Sequence, residues 1–239
     1  MPLTTPHTLS RNTMTFHLLD RPVWPALSTR MAHVAVGGER ARRFVSEYGL
    51  FAAARDDEPE SLQALADLVP QDNVALLIQT GSSPLPSGTS VQMTAECVQM
   101  VAAGFQPLNI DPRFEQLTKA DAPAMLALAA LTEPGPFFSR TNELGQFWGV
   151  KENGMLVAMA GERMRFDGYT EVSGVCTHPD FRGRGYAGQV LIAVASHIAR
   201  RGDTPFLHAL TTNTPAIKLY ETLGFATRTT VTVQMLRRA

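Results

Sequence analysis

The clearest periodicity in the chain lies between Gly185 and Arg201. Tyr186, Val190, Val194 and Ile198 recur every four positions, with Ala187, Leu191, Ala195 and Ala199 beside them. That is one wide apolar stripe of helical period. Arg200 and Arg201 fall in its last turn, where the helix dipole favours cations, and Gly202 supplies a stop. Upstream the period changes. The stretch from Gln146 to Phe166 is broken by Asn153-Gly154, and a second break, Asp167-Gly168, leads into YTEVSGVCT (Tyr169 to Thr177). Both dipeptides tolerate the positive φ of tight hairpin turns, so three strands are predicted as an antiparallel meander. TPFLHALT (204–211) reads as a strand. Thr214-Pro215 starts a further helix, with Thr214 as N-cap and Pro215 at its first position, and Gly224 closes it. The last stretch, FATRTTVTVQML, is a strand or strand pair.

The first half is less punctuated. Phe44 to Ala54 reads as strand, although its alanines leave helix open. Pro59 to Val69 has a Pro–Glu start and helical apolar spacing. Asn73 to Thr80 is a buried strand, GSSPLPSGTS a loop, and the alternating run Val91 to Val101 another strand. Gly104 to Arg113 has the look of a linker. After it, Phe114 begins a short strand followed by a helix capped near Lys119 to Asp121. The expected organisation is a flexible N-terminus (1–13), an N-terminal α/β domain (14–108) and a second α/β domain (113–239).

Composition narrows the function classes. Of 239 residues, 44% are apolar and 18% charged, enough for a full core. The formal net charge is -1, so bulk electrostatics supplies no reason to bind nucleic acid or an anionic membrane. Cys97 and Cys176 lie far apart in apolar stretches and read as buried thiols of a reducing compartment. The histidines show no ligand spacing, so no metal is expected. The first residues lack the apolar run of a signal peptide, and no run reaches a membrane span, so the expected location is cytoplasmic.

The chemistry concentrates in THPDFRGRGYAGQVLI, from Thr177 to Ile192. Gly183, Gly185 and Gly188 have the spacing of a dinucleotide fingerprint, and Asp203 sits at the distance of its acidic partner. That reading fails on context. Asp203 precedes the next strand instead of ending it, the incoming strand belongs to an antiparallel meander, and His178 to Phe181 separate strand from glycine. The alternative is an anion cradle: Arg182, Gly183, Arg184 and Gly185 entering a helix N-terminus, whose unpaired N–H groups and dipole attract a pyrophosphate. An arginine-glycine turn with no ligand is the plainer possibility, but two arginines there oppose the dipole unless an anion is present.

EVSGVCTHPDFRGRGYAGQVL followed by NTPAIKLYETLGF resembles the coenzyme A loop and following helix of the GCN5-related N-acetyltransferases (GNAT), with the FR47-like subgroup the closer match. The resemblance covers roughly Phe114 to Leu236 and rests on Arg182-x-x-Gly185-x-Ala187 together with Asn213, Tyr220 and Leu223-Gly224-Phe225. It implies a mixed, mostly antiparallel central sheet flanked by helices, preceded by a smaller α/β domain that could be a degenerate copy of the same unit. It implies acetyl-CoA as donor, a primary amine as acceptor and direct transfer in a ternary complex. Arg182, Gly183, Arg184, Gly185, Tyr186 and Ala187 would hold the pyrophosphate, with Asn213 nearby. Val175, Cys176 and Thr177 would pair with the pantetheine arm, an amide near Val175 or Cys176 facing the thioester oxygen. A homodimer stays open.

Three residues are candidates for proton transfer. With a two-residue turn at Asp167-Gly168, Glu162 would lie opposite Ser173 and diagonal to Glu171, both carboxylates sharing the face of Val175 and Thr177. Glu171 also matches a glutamate base of several GNAT enzymes; solvated strand carboxylates balancing Arg163 and Arg165 are the alternative. Tyr220 occupies the family's usual acid position, the alternative being a core tyrosine. An acyl-cysteine on Cys176 is disfavoured. Acceptor recognition is expected in Gly135 to Phe147, with Arg140 as carboxylate anchor and Phe137 and Phe138 as wall. A non-catalytic acyl-CoA-binding module is the competing function.

Overall fold

The computed structural model describes residues 17–239; the expectation of a flexible segment at 1–13 lies outside the described residues. The described chain forms eleven strands and five α-helices. A small antiparallel sheet holds β1 (Ala35–Gly37), β2 (Ala41–Phe44) and β3 (Ala52–Ala54) in that order. The Phe44 to Ala54 run is therefore the end of β2, a turn and β3. Helix α1 (Val23–Ser28), which the sequence pattern did not reveal, packs Val23, Ala26 and Leu27 into the core beside it.

The large sheet has eight strands in the order β4-β11-β5-β10-β9-β8-β7-β6. These are β4 (Ala75–Gln79), β5 (Thr89–Val101), β6 (Phe114–Gln116), β7 (Phe147–Glu152), β8 (Met155–Phe166), β9 (Tyr169–Thr177), β10 (Thr204–Leu210) and β11 (Ala226–Arg238). All pairings are antiparallel except β9 with β10. The expected mixed, mostly antiparallel sheet flanked by helices is present.

The expected boundary between 108 and 113 does not separate two sheets. β4 and β5 precede it, yet β5 lies between β10 and β11. The physical reason is burial: Gln99, Met100 and Ala102 are sealed, and β5 pairs along both edges with strands from the second half. The first half thus forms the small sheet and completes the large one, without repeating the second half's layout.

Helices cover both faces. The predicted apolar stripe becomes α4 (Tyr186–Arg200), whose Val190, Leu191, Val194 and Ile198 are buried against Val157, Val172 and Leu207. Each such side chain contributes on the order of 1.5–3 kcal/mol. Helix α5 (Thr214–Thr222) joins the same core through Tyr220. Its N-cap is Asn213, not Thr214: the Asn213 side-chain oxygen accepts from Ala216 N–H at 3.3 Å. Helix α2 (Pro59–Leu68) lies on the small sheet. Helix α3 (Ala122–Thr132) packs on the opposite face from α4, against Phe147, Met159 and Cys176. Both meander turns form with left-handed residues, Asn153 and Gly154 at φ 50° and 81° and Gly168 at φ 79°. No helix among the described residues is long and apolar enough to cross a membrane.

Candidate active site

The site begins where β9 and β10 part. They pair only from Tyr169 to Glu171 against Thr204 to Phe206. Beyond that, β10 continues along β5 to Leu210↔Cys97, and β9 continues along β8 to Thr177↔Ala158. Gly174 lies just past the divergence at φ 64°, a left-handed geometry that fits glycine. The result is a V-shaped opening with unpaired backbone along one side of β9. His178 N–H donates to Val157 O at 2.8 Å, so by alternation the amides of Val175 and Thr177 point away from β8, into the opening.

The glycine loop closes one end. Gly183 and Gly185 both sit at φ 77°, and a Cβ at either would meet nothing within 4 Å. Glycine is required there by the turn, not by crowding from the protein, and the outward surface is left open. Gly185 is the N-cap of α4 and offers no side-chain cap. The first helical hydrogen bond runs from Gln189 N–H to Gly185 O at 3.2 Å, leaving the amides of Tyr186, Ala187 and Gly188 as free donors in the first turn.

A cleft of about 600 Å³ follows the loop, lined by Val175, Cys176, Thr177, Arg182, Gly183, Gly185, Tyr186, Ala187, Asn213 and Tyr220 among others. Nine of the ten residues expected at the cofactor border it. Arg184 does not: its guanidinium stacks on the Phe181 ring at 4.7 Å. Tyr186 contributes backbone, since its hydroxyl is turned to Glu152. The cleft fits an elongated phosphorylated ligand, with donors at the helix end and an open strand edge beyond.

A second cavity of about 430 Å³ lies on the other side of the opening. The two share Glu133, Pro134, Val175, Asn213 and Tyr220 in their walls. Tyr220 is buried at this junction, and burial pushes its phenol pKa up, which keeps the hydroxyl protonated near neutrality. Burial also pushes the Cys176 thiol up to about 11, so it is a poor nucleophile.

The two candidate glutamates do not share a face. Irregularities in the β8–β9 pairing move the register, so Ser173 faces Gly161 and Glu162 faces Val172. Glu171 is sealed and held in a bidentate pair, Arg163 Nε to Oε2 at 2.7 Å and Nη2 to Oε1 at 2.6 Å, with His208 Nδ1 2.7 Å from Oε1. Burial alone would raise its pKa, but the charge and hydrogen bonds of Arg163, with His208, bring it down to about 2. A carboxylate so engaged is a poor acceptor of an amine proton. Glu162 is also sealed; Oε1 pairs with Arg201 at 2.8 Å, Oε2 has no partner, and the residue borders a cavity of about 10 Å³ beneath Pro134 and Gly135.

The Glu171 pair continues as a chain of polar contacts. Gln99 Nε2 donates to Leu19 O at 2.8 Å and lies 3.0 Å from His208 Nε2, while Gln99 Oε1 accepts from Arg228 at 2.8 Å. An amide nitrogen cannot accept, so His208 Nε2 is the acceptor and its proton sits on Nδ1, donated to Glu171. Arg163, Glu171, His208, Gln99 and Arg228 thus link five adjacent strands, ending on Asp20.

The acceptor expectations divide. Gly135 and Pro136 line the second cavity. Arg140 does not: it pairs with Glu143 at 2.7 Å and stacks on Tyr48 at 4.4 Å. Phe137 packs edge-on against Phe147 and borders smaller hollows, and Phe138 borders none of these cavities. Two charged lining residues, Arg163 and Glu133, escape the sequence pattern. From the sequence, Arg163 reads as a counter-charge to the strand carboxylates. Glu133 sits at the C-cap of α3 with φ 47°, one of two non-glycine residues at positive φ among the described residues. Such outliers favour functional sites, and the Glu-Pro-Gly sequence was the available signal.

A family model described as FR47-like protein matches residues 148–233. A GNAT-family structure from Novosphingobium aromaticivorans is 42% identical, covering 94% of this chain and 100% of its own, with TM-score 0.88. A GCN5-related N-acetyltransferase from Kribbella flavida (15% identity, 88% and 92% covered, TM-score 0.59) and a GCN5-related N-acetyltransferase-like protein from Streptococcus suis (14%, 90% and 92%, TM-score 0.52) share the fold. No curated protein matches the chain.

Proposed function

The chain belongs to the GNAT family, and from that premise we propose that it transfers the acetyl group of acetyl-CoA directly to a primary amine in a ternary complex. The observation that carries this reading is the pair of clefts meeting at Val175 and Tyr220. Acetyl-CoA, when bound, supplies an acetyl thioester. The amides of Tyr186, Ala187 and Gly188 and the side chain of Arg182 would hold its pyrophosphate. Val175 and Thr177 would donate along the open strand edge, and the Val175 amide would stabilise the developing oxyanion. Arg184 would act on the cofactor only from outside the cleft.

Tyr220 would protonate the departing thiolate, since its hydroxyl is neutral and the residue borders both clefts. The acceptor amine must be neutral to attack, and a lysine-type amine titrates near ~10.4. Glu133 is the carboxylate that borders both clefts, which supports it as acceptor of that proton. Glu162 would act only through an intervening water, and Glu171 would be structural. The test is thiol release from acetyl-CoA across a panel of primary amines, repeated with Glu133→Gln. A deficit that shrinks as pH rises supports the role of Glu133; a flat deficit rejects it. A module that only binds acyl-CoA would take up acetyl-CoA and release no thiol with any amine.

A further inference from the structure

We infer that the acceptor is a small ω-aminocarboxylate with an apolar body, its carboxylate held by Arg163 and its amino group at Glu133. This deepens the proposed transfer and rests on it for the position of the amine. Arg163 is the one Lys or Arg among the described residues lining the second cavity. Its side chain is 13% exposed. Nε and Nη2 are occupied by Glu171, the guanidinium carbon lies 4.5 Å over the Phe51 ring, and Nη1 has no hydrogen-bond partner among the described residues. Nor is that nitrogen among the buried polar atoms left unpaired, so it is not sealed, and the residue lines the second cavity.

A guanidinium held on one edge by one carboxylate offers its remaining N–H groups to another in a fixed orientation. The belt through His208, Gln99 and Arg228 fixes that orientation, because Glu171 cannot swing away without breaking the His208 contact. Ser173 adds a hydroxyl beside it, while Phe51, Leu76, Met93, Leu207 and Met235 make the walls apolar. At the other end Glu133 is the carboxylate, suited to an ammonium arriving from water. The cavity thus offers a directed guanidinium N–H at Arg163 and a carboxylate at the junction.

The strand spacing favours an acceptor longer than an α-amino acid. Along β9, three residues lie between Glu171 beneath Arg163 and Val175 at the junction, four steps of about 3.3 Å or about 13 Å in an extended strand. An α-amino and α-carboxylate on one carbon cannot reach both ends.

The experiment compares ε-aminocaproate with its neutral carboxamide, and with phenylalanine, by thiol release from acetyl-CoA and by calorimetry on the CoA-loaded protein. The acid should exceed the amide in kcat/KM by roughly tenfold to a hundredfold, the worth of a charge-assisted hydrogen bond, and phenylalanine should be poor. Arg163→Lys keeps the charge that compensates Glu171 but loses the fork, and should shrink the acid-over-amide ratio. Equal handling of acid and amide by the unaltered protein overturns the inference whatever the variant does. Turnover of neutral amines alone keeps the transfer reading and rejects this acceptor class. Preferential binding of the acid with no turnover of any amine keeps the site and rejects the transfer reading.

Discussion

Replacing Glu171 with Gln tests whether this carboxylate is a structural clamp or a base. The substitution keeps the shape and removes the charge, turning an amide N–H₂ or a neutral oxygen toward Arg163. The Glu171 carboxyl is held at about 2 against an ordinary 4.5. At about 1.36 kcal/mol per pH unit, that difference is worth about 3 kcal/mol of stability near neutrality. The figure agrees with the ~3–5 kcal/mol lost when one partner of a buried ion pair is removed. Because the folded value is depressed, the stabilisation is present above 4.5 and fades as pH falls toward about 2. The gap between the unaltered protein and Glu171→Gln should therefore be about 3 kcal/mol near pH 7 and about half that near pH 3. Urea unfolding, followed by the fluorescence of Trp24 and Trp148, measures it. A gap that is absent near neutrality, or that does not change with pH, refutes the clamp. The activity of the variant separates the roles further. A lost base would give a deficit that shrinks as rising pH neutralises the amine, whereas loss of the clamp gives one that stays flat.

Gly185→Glu should abolish acetyl-CoA binding by calorimetry while the protein still folds, because a negative side chain enters the phosphate cradle; Gly185→Ala should cost only about 1–2 kcal/mol of stability from its left-handed backbone. Tyr220→Phe should leave acetyl-CoA affinity intact and lower kcat roughly 10–100-fold, near the lower end of general-acid contributions because a thiolate is a fair leaving group; full kcat with chemistry rate-limiting would remove the acid role. Arg140→Ala should leave acceptor KM unchanged within about twofold, since a rim pair outside the cavity contributes little; a selective rise in acceptor KM would return Arg140 to the binding site.

Local rules made the second half legible. Asn153-Gly154 and Asp167-Gly168 announce their turns because few residues adopt positive φ cheaply, and the four-residue spacing of α4 leaves one way to bury its apolar face. The glycine loop could be separated from a dinucleotide fingerprint because Asp203 falls before its strand. The rest depends on tertiary partners. Nothing in the alternation of β5 says that it lies between β10 and β11, so a domain boundary was expected where one sheet continues. The irregular pairing from Glu162 to Arg165 turns Glu162 away from Glu171, and ideal alternation cannot anticipate it. Burial sets the surroundings of Glu171: exposed, it would be a credible base, but sealed against Arg163 it is a poor proton acceptor. Glu133 sits at the C-cap of α3, just past the helical pattern, so periodicity does not point to it.

The most direct measurement is a paired assay on the intact chain: acetyl-CoA binding by calorimetry, then thiol release with primary amines, the acetylated amine quantified by mass spectrometry. The account predicts saturable binding and amine-dependent release, with one acetylated amine formed per thiol. Failure to bind acetyl-CoA, or binding with no amine-dependent release across the panel, would contradict it.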